Sequence, residues 1–230
     1  MTNPRRSTRT DGELTRARIL EAAGQLFAAT GYAETTNKDI ASRAEVDLAS
    51  INYHFGNRSG LYQTVLIEAH RRIINLDDLE QIAASTLPAR DKLGRFIDLL
   101  AKATTGSQGW HARILARELL APSSNLHVLI NKELPPKFAV ILRILSEITA
   151  IPEGDPALLR CMVSIGAPCL MLMVAGNSLP GPPQQVLRMP HQDLTSHLRS
   201  FALAGLEEIG REYAGRTADV GASRSKRRKN

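Results

Sequence analysis

The stretch Thr35–Leu61, TTNKDIASRAEVDLASINYHFGNRSGL, decides the fold. It holds two short helical patterns separated by three residues. Thr36 is placed to cap the first, because its hydroxyl can accept an orphan backbone N–H, and Asp39 follows at the spacing of a capping box. Ile40, Ala41 and Ala44 then recur on one face at helical spacing. Glu45, Val46 and Asp47 make the turn, with Asp47 as the next cap. Leu48–Phe55 forms the second helix, in which Ile51 and Phe55 point one way while Ala49, Ser50 and Asn52 point elsewhere. Two short helices joined by a tight turn, the second bearing small and amide side chains near its start, make a helix-turn-helix.

Upstream, a helix is expected from Gly12 to Thr30. Ile19, Ala23, Leu26 and Phe27 keep the i, i+4, i+7, i+8 rhythm, and Gly31 stands where a helix-ending glycine belongs. Tyr32 is expected to pack inside the small domain. Downstream, Asn57 can cap a fourth helix whose apolar residues Leu61, Val65, Leu66, Ala69 and Ile73 extend it to Leu76.

The run VDLASINYHFGNRSGLY resembles the TetR-family signature, and RARILEAAGQLFAATGYAETTNKDIA is similar to that family's first helix, Gly-aromatic turn and Thr-capped second helix. The resemblance covers residues 14–75. Three positions depart from it: Glu45 where many members have Gly, Asp47 for a common Ser, and Asn52 for a common Tyr. The last changes a side chain that the resemblance places against DNA. The family likeness implies an all-α fold of about nine helices: an N-terminal three-helix head and a larger C-terminal dimerisation and ligand domain. It also aligns Leu48, Ala49 and Asn52 with positions that face base edges. Thr36, Ser50, Tyr53, His54 and Arg58 align with phosphate contacts. Asparagine can bond adenine bidentately, and Leu or Ala can touch a thymine methyl. Hydroxyls, imidazole, guanidinium and helix N-termini suit phosphate.

Composition sets the outer limits. The 230 residues can bury one sizeable core or two modest domains, and 43% hydrophobic content with 4% aromatics fits an Ala/Leu-rich helical chain. The net charge of +6 is concentrated at the ends: +3 in residues 1–10 and +5 in residues 216–230, leaving about −2 between them. The nucleic-acid reading therefore rests on the motif rather than on the charge. Both ends, 1–10 and 215–230, are expected to be disordered and basic. No apolar run is expected to reach the ~18 residues of a membrane span, and no signal-peptide core is evident, so a bacterial-type cytoplasmic setting is expected. Cys161 and Cys169 share one helical pattern at a separation of ~12 Å, too far for a disulfide.

After Pro88 the pattern stays helical. Leu93, Phe96, Ile97 and Leu100 mark one helix, and Trp110, Ile114 and Leu119 another that stops at Pro122. Leu126–Ile148 reads as one or two helices interrupted at Pro135-Pro136, since proline has no N–H to donate. An apolar helix follows from Pro156 to Gly176, expected to kink at Pro168, then a loop, NSLPGPPQQ, and a last helix from His191 to Tyr213. The partition expected is a head at 11–60 and a ligand and dimerisation domain at 61–214, with the fourth helix as connector.

By resemblance, the last two long helices form a homodimer, so that two heads meet a palindromic double-stranded operator. Candidates for a small-molecule effector pocket are Trp110, His111, Arg113, Arg117, Met162, Cys169 and Met173. Met and Cys are adaptable pocket lining, and they are equally ordinary core. The histidines show no metal-ligand spacing, and no nucleophile turn or phosphate-cradling loop occurs; neither enzyme activity, metal nor cofactor is expected. The expected function is ligand-responsive transcriptional regulation, most simply repression, by a dimer released from its operator. Two alternatives are a ligand-binding module with a vestigial head, and a nonspecific DNA binder acting through its basic tails.

Overall fold

A computed structural model describes residues 4–105, 109–175 and 180–227, and no strand occurs among them. The first helices in chain order are α1 (Pro4–Thr30), α2 (Asn37–Ala44), α3 (Leu48–Phe55), α4 (Arg58–Ile73), α5 (Leu76–Ala84) and α6 (Ala89–Thr105). They are followed by α7 (Trp110–Leu120), α8 (Leu134–Thr149), α9 (Pro156–Ala175), α10 (Pro182–Arg188) and α11 (His191–Arg227). A 3-10 turn at Ser124–Leu126 and a π-helical turn at Leu129–Glu133 lead into α8.

Two compact units result, Met1–Ile73 with Ser107–Leu134, and Ile74–Gly106 with Pro135–Asn230. The sequence partition at residue 60 is thus revised: α4 and α7 belong with the head. The reason is core size. The eight-residue helices α2 and α3 bring few apolar side chains, chiefly Ile40, Ala41, Ala44 and Ile51. Leu61, Tyr62, Val65, Leu66 and Ala69 of α4, with Trp110, Ile114 and Leu115 of α7, supply the remaining buried surface.

Within this first unit α1 packs on α2, α4 and α7. Phe27, Tyr32 and Tyr62 form an aromatic cluster with centroids 4.7–5.9 Å apart. Polar bonds tie the returning segment to α4. The Tyr62 hydroxyl donates to buried Glu118 at 2.6 Å, and Glu118 also accepts from the Ser123 N–H and Oγ. Ser59 Oγ and Gln63 Nε2 both donate to Asn125 Oδ1, at 2.6 and 3.2 Å.

The second unit is built around Leu93, Phe96 and Ile97 of α6, Ile141, Ile144 and Leu145 of α8, and Leu158, Cys161 and Ile165 of α9. Arg199 pairs with Asp98, and the Tyr213 hydroxyl donates to Asp155 at 2.8 Å. Two helices here escape the apolar pattern: α5, capped by Asn75, and α10, which begins on the Pro182-Pro183 pair inside the expected loop. Proline is favoured in a first helical turn because its missing N–H has no partner there anyway. Near Pro135-Pro136 the regular α-helix is interrupted as expected: the chain winds as a π-helical turn through Glu133 before α8 begins at Leu134. Helix α9 runs through Pro168, which leaves the Ser164 carbonyl without its helical donor.

Both chain ends depart from the expectation of disorder. Helix α1 begins at Pro4 and α11 runs on to Arg227. Extending an existing helix costs far less than nucleating one, and α11 continues even through Gly215 and Gly221. Residues 1–3 and 228–230 of the basic ends, and 177–179 of the NSLPGPPQQ stretch, lie outside the described residues. One further expectation is corrected: Pro156–Val174 is 19 residues long with mean hydropathy 2.0, enough by length and composition to cross a membrane. Its Leu158, Cys161, Ile165 and Cys169 nevertheless contribute to the core of the second unit.

Candidate nucleic-acid interface

Helix α2 starts on a complete capping box. The Asp39 N–H donates to Thr36 Oγ1 at 3.2 Å, while the Thr36 hydroxyl and N–H both donate to Asp39 Oδ2, at 2.6 and 3.1 Å. These donors hold the exposed Asp39 carboxyl below its ordinary pKa. The helix ends in a Schellman arrangement: Val46 N–H donates to Ala41 O at 3.0 Å and Glu45 N–H to Ser42 O at 3.3 Å. Glu45 therefore sits in left-handed conformation, φ 53°, ψ 52°, where glycine is the unstrained choice.

Asp47 occupies the N-cap position of α3, yet its side chain makes no cap bond. Ile51 is fully buried and fixes the roll of the helix. Leu48 (51% exposed), Ala49, Asn52 and Tyr53 (85% exposed) consequently lie on the open side. Ser50 and His54 are half-buried, and the His54 ring meets Tyr53 edge-on at 5.0 Å. Phe55, expected to point the same way as Ile51, is half-buried, with the Arg16 guanidinium 5.2 Å from its ring centroid. This face carries an amide, a phenol, a hydroxyl and an imidazole beside two small apolar groups. It has the donors, acceptors and methyls that base edges and phosphates require.

Arg58 is different. Its guanidinium donates to the carbonyls of Tyr32 and Ala33 and lies 4.4 Å from the Tyr32 ring centroid. It ties down the α1–α2 connection, a structural task beside the phosphate contact expected from the sequence. That role is invisible along the chain, because the bonded residues are 25 and 26 positions apart.

The seven effector-pocket candidates do not gather within either unit. Trp110, His111, Arg113 and Arg117 fall in the first; Met162, Cys169 and Met173 in the second. Arg117 lies against Gly31 and donates weakly to the Thr30 carbonyl at 3.4 Å, at the end of α1. Glu118, next to Arg117, turns inward to Tyr62. Cys169, whose thiol burial pushes up to about 11, lines an apolar cleft of about 70 Å³ in the second unit with Cys161, Ile165 and Leu206. That volume is far below the ~300 Å³ at which drug-sized ligand sites begin. Among the described residues no group of His, Cys, Asp and Glu is placed to hold a metal.

A capped α2, a tight turn and an α3 rolled so that its polar face is open define a helix-turn-helix regulator of transcription. Comparison with known proteins makes the assignment narrower. The profile described as bacterial regulatory proteins, tetR family, matches residues 19–65, and that of the C-terminal domain of the HTH-type transcriptional dual regulator CecR matches residues 89–209. The chain belongs to the TetR family of transcriptional regulators.

Among its relatives, the HTH-type transcriptional regulator TtgR of Pseudomonas putida is 42% identical over 65 residues, 28% of this chain and 31% of TtgR. The HTH-type transcriptional repressor Rv3405c of Mycobacterium tuberculosis is 34% identical over 116 residues, 50% of this chain and 52% of that protein. The matches thus span only a third to a half of these relatives' lengths. In fold, the chain is similar to the fatty acid degradation regulator FadR from Bacillus halodurans, with TM-score 0.66 and 18% identity over 90% of this chain and 98% of that one. It is also similar to FadR from Bacillus subtilis in complex with stearoyl-CoA, with TM-score 0.62 and 20% identity over 82% and 98% of the two chains.

Proposed function

We propose that the protein is a homodimeric, ligand-responsive repressor, which binds a palindromic operator through two copies of α3 and is released by a small molecule held in its C-terminal domain. The observation that carries this reading is α3, buried on the side of Ile51 and open along Leu48, Ala49, Asn52 and Tyr53. In this reading Leu48, Ala49 and Asn52 read base edges. Thr36, Ser50, Tyr53 and His54 hold phosphates and fix the register.

Dimerisation is supported by an exposed apolar row on α9, Leu159, Val163, Leu170 and Met171, and by Phe201 on α11, which is 71% exposed. Burying such a row against its own copy removes apolar surface from water at roughly 25 cal/mol per Å². A two-fold dimer then sets two α3 helices on half-sites about 34 Å, or a multiple, apart. The effector acts by preferring a conformer whose two heads no longer match that spacing, and its differential affinity sets the extent of release. Repression is supported by the naming of Rv3405c as a repressor, and a small-molecule effector by the stearoyl-CoA in the B. subtilis FadR complex. This chain's own effector is a separate question from theirs.

The test is selection of bound duplexes from a random DNA library by the purified protein at about 150 mM salt, near physiological ionic strength. A two-fold symmetric enriched motif is the expected result. DNA that is retained without enrichment overturns specific recognition.

A further inference from the structure

We propose that Asn125 is a positioning residue for operator recognition: buried in the head, it sets the direction of α3 by holding the first turn of α4. The proposal rests on the reading of α3 as the helix that reads bases.

The start of α4 is a junction, in which three consecutive residues each grip a different part of the unit. Arg58 donates to the carbonyls of Tyr32 and Ala33, in the connection just ahead of Thr36, the cap of α2. Ser59 Oγ donates to Asn125 Oδ1 at 2.6 Å. Gly60 lies against the end of α3: a Cβ there would collide with the Phe55 carbonyl oxygen, which is backbone and cannot step aside. Further bonds close the corner between α3 and α4. The Gly56 N–H donates to Asn52 O, the Asn57 N–H to Phe55 O and the Gly60 N–H to Asn57 Oδ1, each at 2.9 Å. So tight a corner passes any shift of the α4 start on to α3, whose exposed Asn52 and Tyr53 stand in its last turn.

Asn125 is fixed on its own side. It is 5% exposed, and its N–H donates to Ser123 Oγ at 3.2 Å. Ser123 in turn donates through its N–H and Oγ to buried Glu118. Its Oδ1 accepts from Gln63 Nε2 at 3.2 Å as well as from Ser59, so two residues one turn apart on α4 converge on one anchored oxygen. A single bond would let the helix pivot about it, whereas two fix both its roll and its position along the axis. Burial sharpens the hold, because donors that lose a buried acceptor are not freely repaid by water. Leucine has nearly the volume of asparagine and no acceptor, so it separates holding from packing.

The test uses the full-length protein with Asn125→Leu, Ser59→Ala and a control, Tyr62→Phe, which weakens the same unit through Glu118 and leaves Asn125 in place. Circular dichroism confirms that each variant folds. Amide hydrogen exchange across residues 52–61 is expected to be about 10-fold faster in Asn125→Leu and Ser59→Ala, with no such local rise in Tyr62→Phe. On the duplex enriched from the random library, Asn125→Leu should bind about 10-fold more weakly, with affinity for unselected duplexes unchanged. Ser59→Ala added to Asn125→Leu should cost less than the two separate losses combined, because both remove the same bond. Exchange that stays at the wild-type rate in Asn125→Leu overturns the proposal, and so does equal weakening on enriched and unselected duplexes. A wild-type protein that enriches no motif overturns instead the reading of α3, and the exchange rates still decide whether Asn125 holds the corner.

Discussion

Helices α3 and α9 have the same plan and different chemistry. Each buries one face, α3 through Ile51 and α9 through Leu158, Cys161 and Ile165. Each leaves the other face in the open. On α3 that face mixes an amide and a phenol with small apolar groups, whereas on α9 it is mostly apolar, Leu159, Val163, Leu170 and Met171, with Arg160 and Ser164 exposed along one side. Exposure alone therefore assigns no partner. Directional hydrogen-bonding groups suit a surface that varies in its donors and acceptors, such as base edges. A mostly apolar row suits a partner equally apolar, and a second copy of the same row is the simplest one.

The strongest way to break this comparison is to charge the α9 face. Val163, 63% exposed, makes no demand on its own unit's core, so Val163→Glu should leave the fold intact. Analytical ultracentrifugation is expected to show a monomer. Operator affinity should fall by ~10²-fold or more, because the second head then contributes no effective concentration. A dimer that survives this change removes α9 from the interface.

A smaller effect is expected from Asn52→Ala on α3. Loss of a bidentate base contact should cost roughly 1–3 kcal/mol and relax preference at one position of each half-site, leaving the salt dependence of binding nearly unchanged. Uniform weakening across all sequences would instead assign Asn52 to the phosphates.

How much of this is legible in the sequence follows from where each contact partner lies. The capping box Thr36–Asp39 and the buried roll of Ile51 depend on residues within one turn of each other, so spacing alone reveals them. The bonds of Arg58 to the Tyr32 and Ala33 carbonyls are hidden because those residues are distant in the chain. The membership of α7 in the DNA-binding unit is hidden for the same reason: the Tyr62–Glu118 bond joins residues 56 positions apart. Helix α10 escapes a reading by pattern because its two prolines look like loop residues, although a helix start accommodates them. The ends read as disordered from their composition, which says little about a helix that only has to be prolonged.

The Tyr62–Glu118 bond gives the next prediction. Tyr62→Phe keeps the ring in its aromatic cluster but leaves a buried carboxylate with one donor fewer, which should destabilise the first unit by about 1–3 kcal/mol. The Tyr62 hydroxyl is itself driven far above its usual pKa, by burial first and then by Glu118, so it remains a donor at any physiological pH. Urea unfolding followed by Trp110 fluorescence reads this loss directly, since the reporter sits in the same unit.

The smallest expected effect has the opposite sign. Glu45 ends α2 at φ 53°, a conformation that costs a side-chain-bearing residue about 1–2 kcal/mol, while glycine forfeits about 0.5–1 kcal/mol of unfolded-chain entropy. The difference favours Glu45→Gly by roughly 0.5–1 kcal/mol. The Schellman bonds from Val46 and Glu45 are made by backbone and survive the change. Denaturant midpoints should therefore rise slightly, with no shift in the bases selected by α3. A fall in stability would mean that the Glu45 side chain holds the turn through contacts of its own, and the helix-turn-helix would then owe its geometry to that side chain as well as to its backbone.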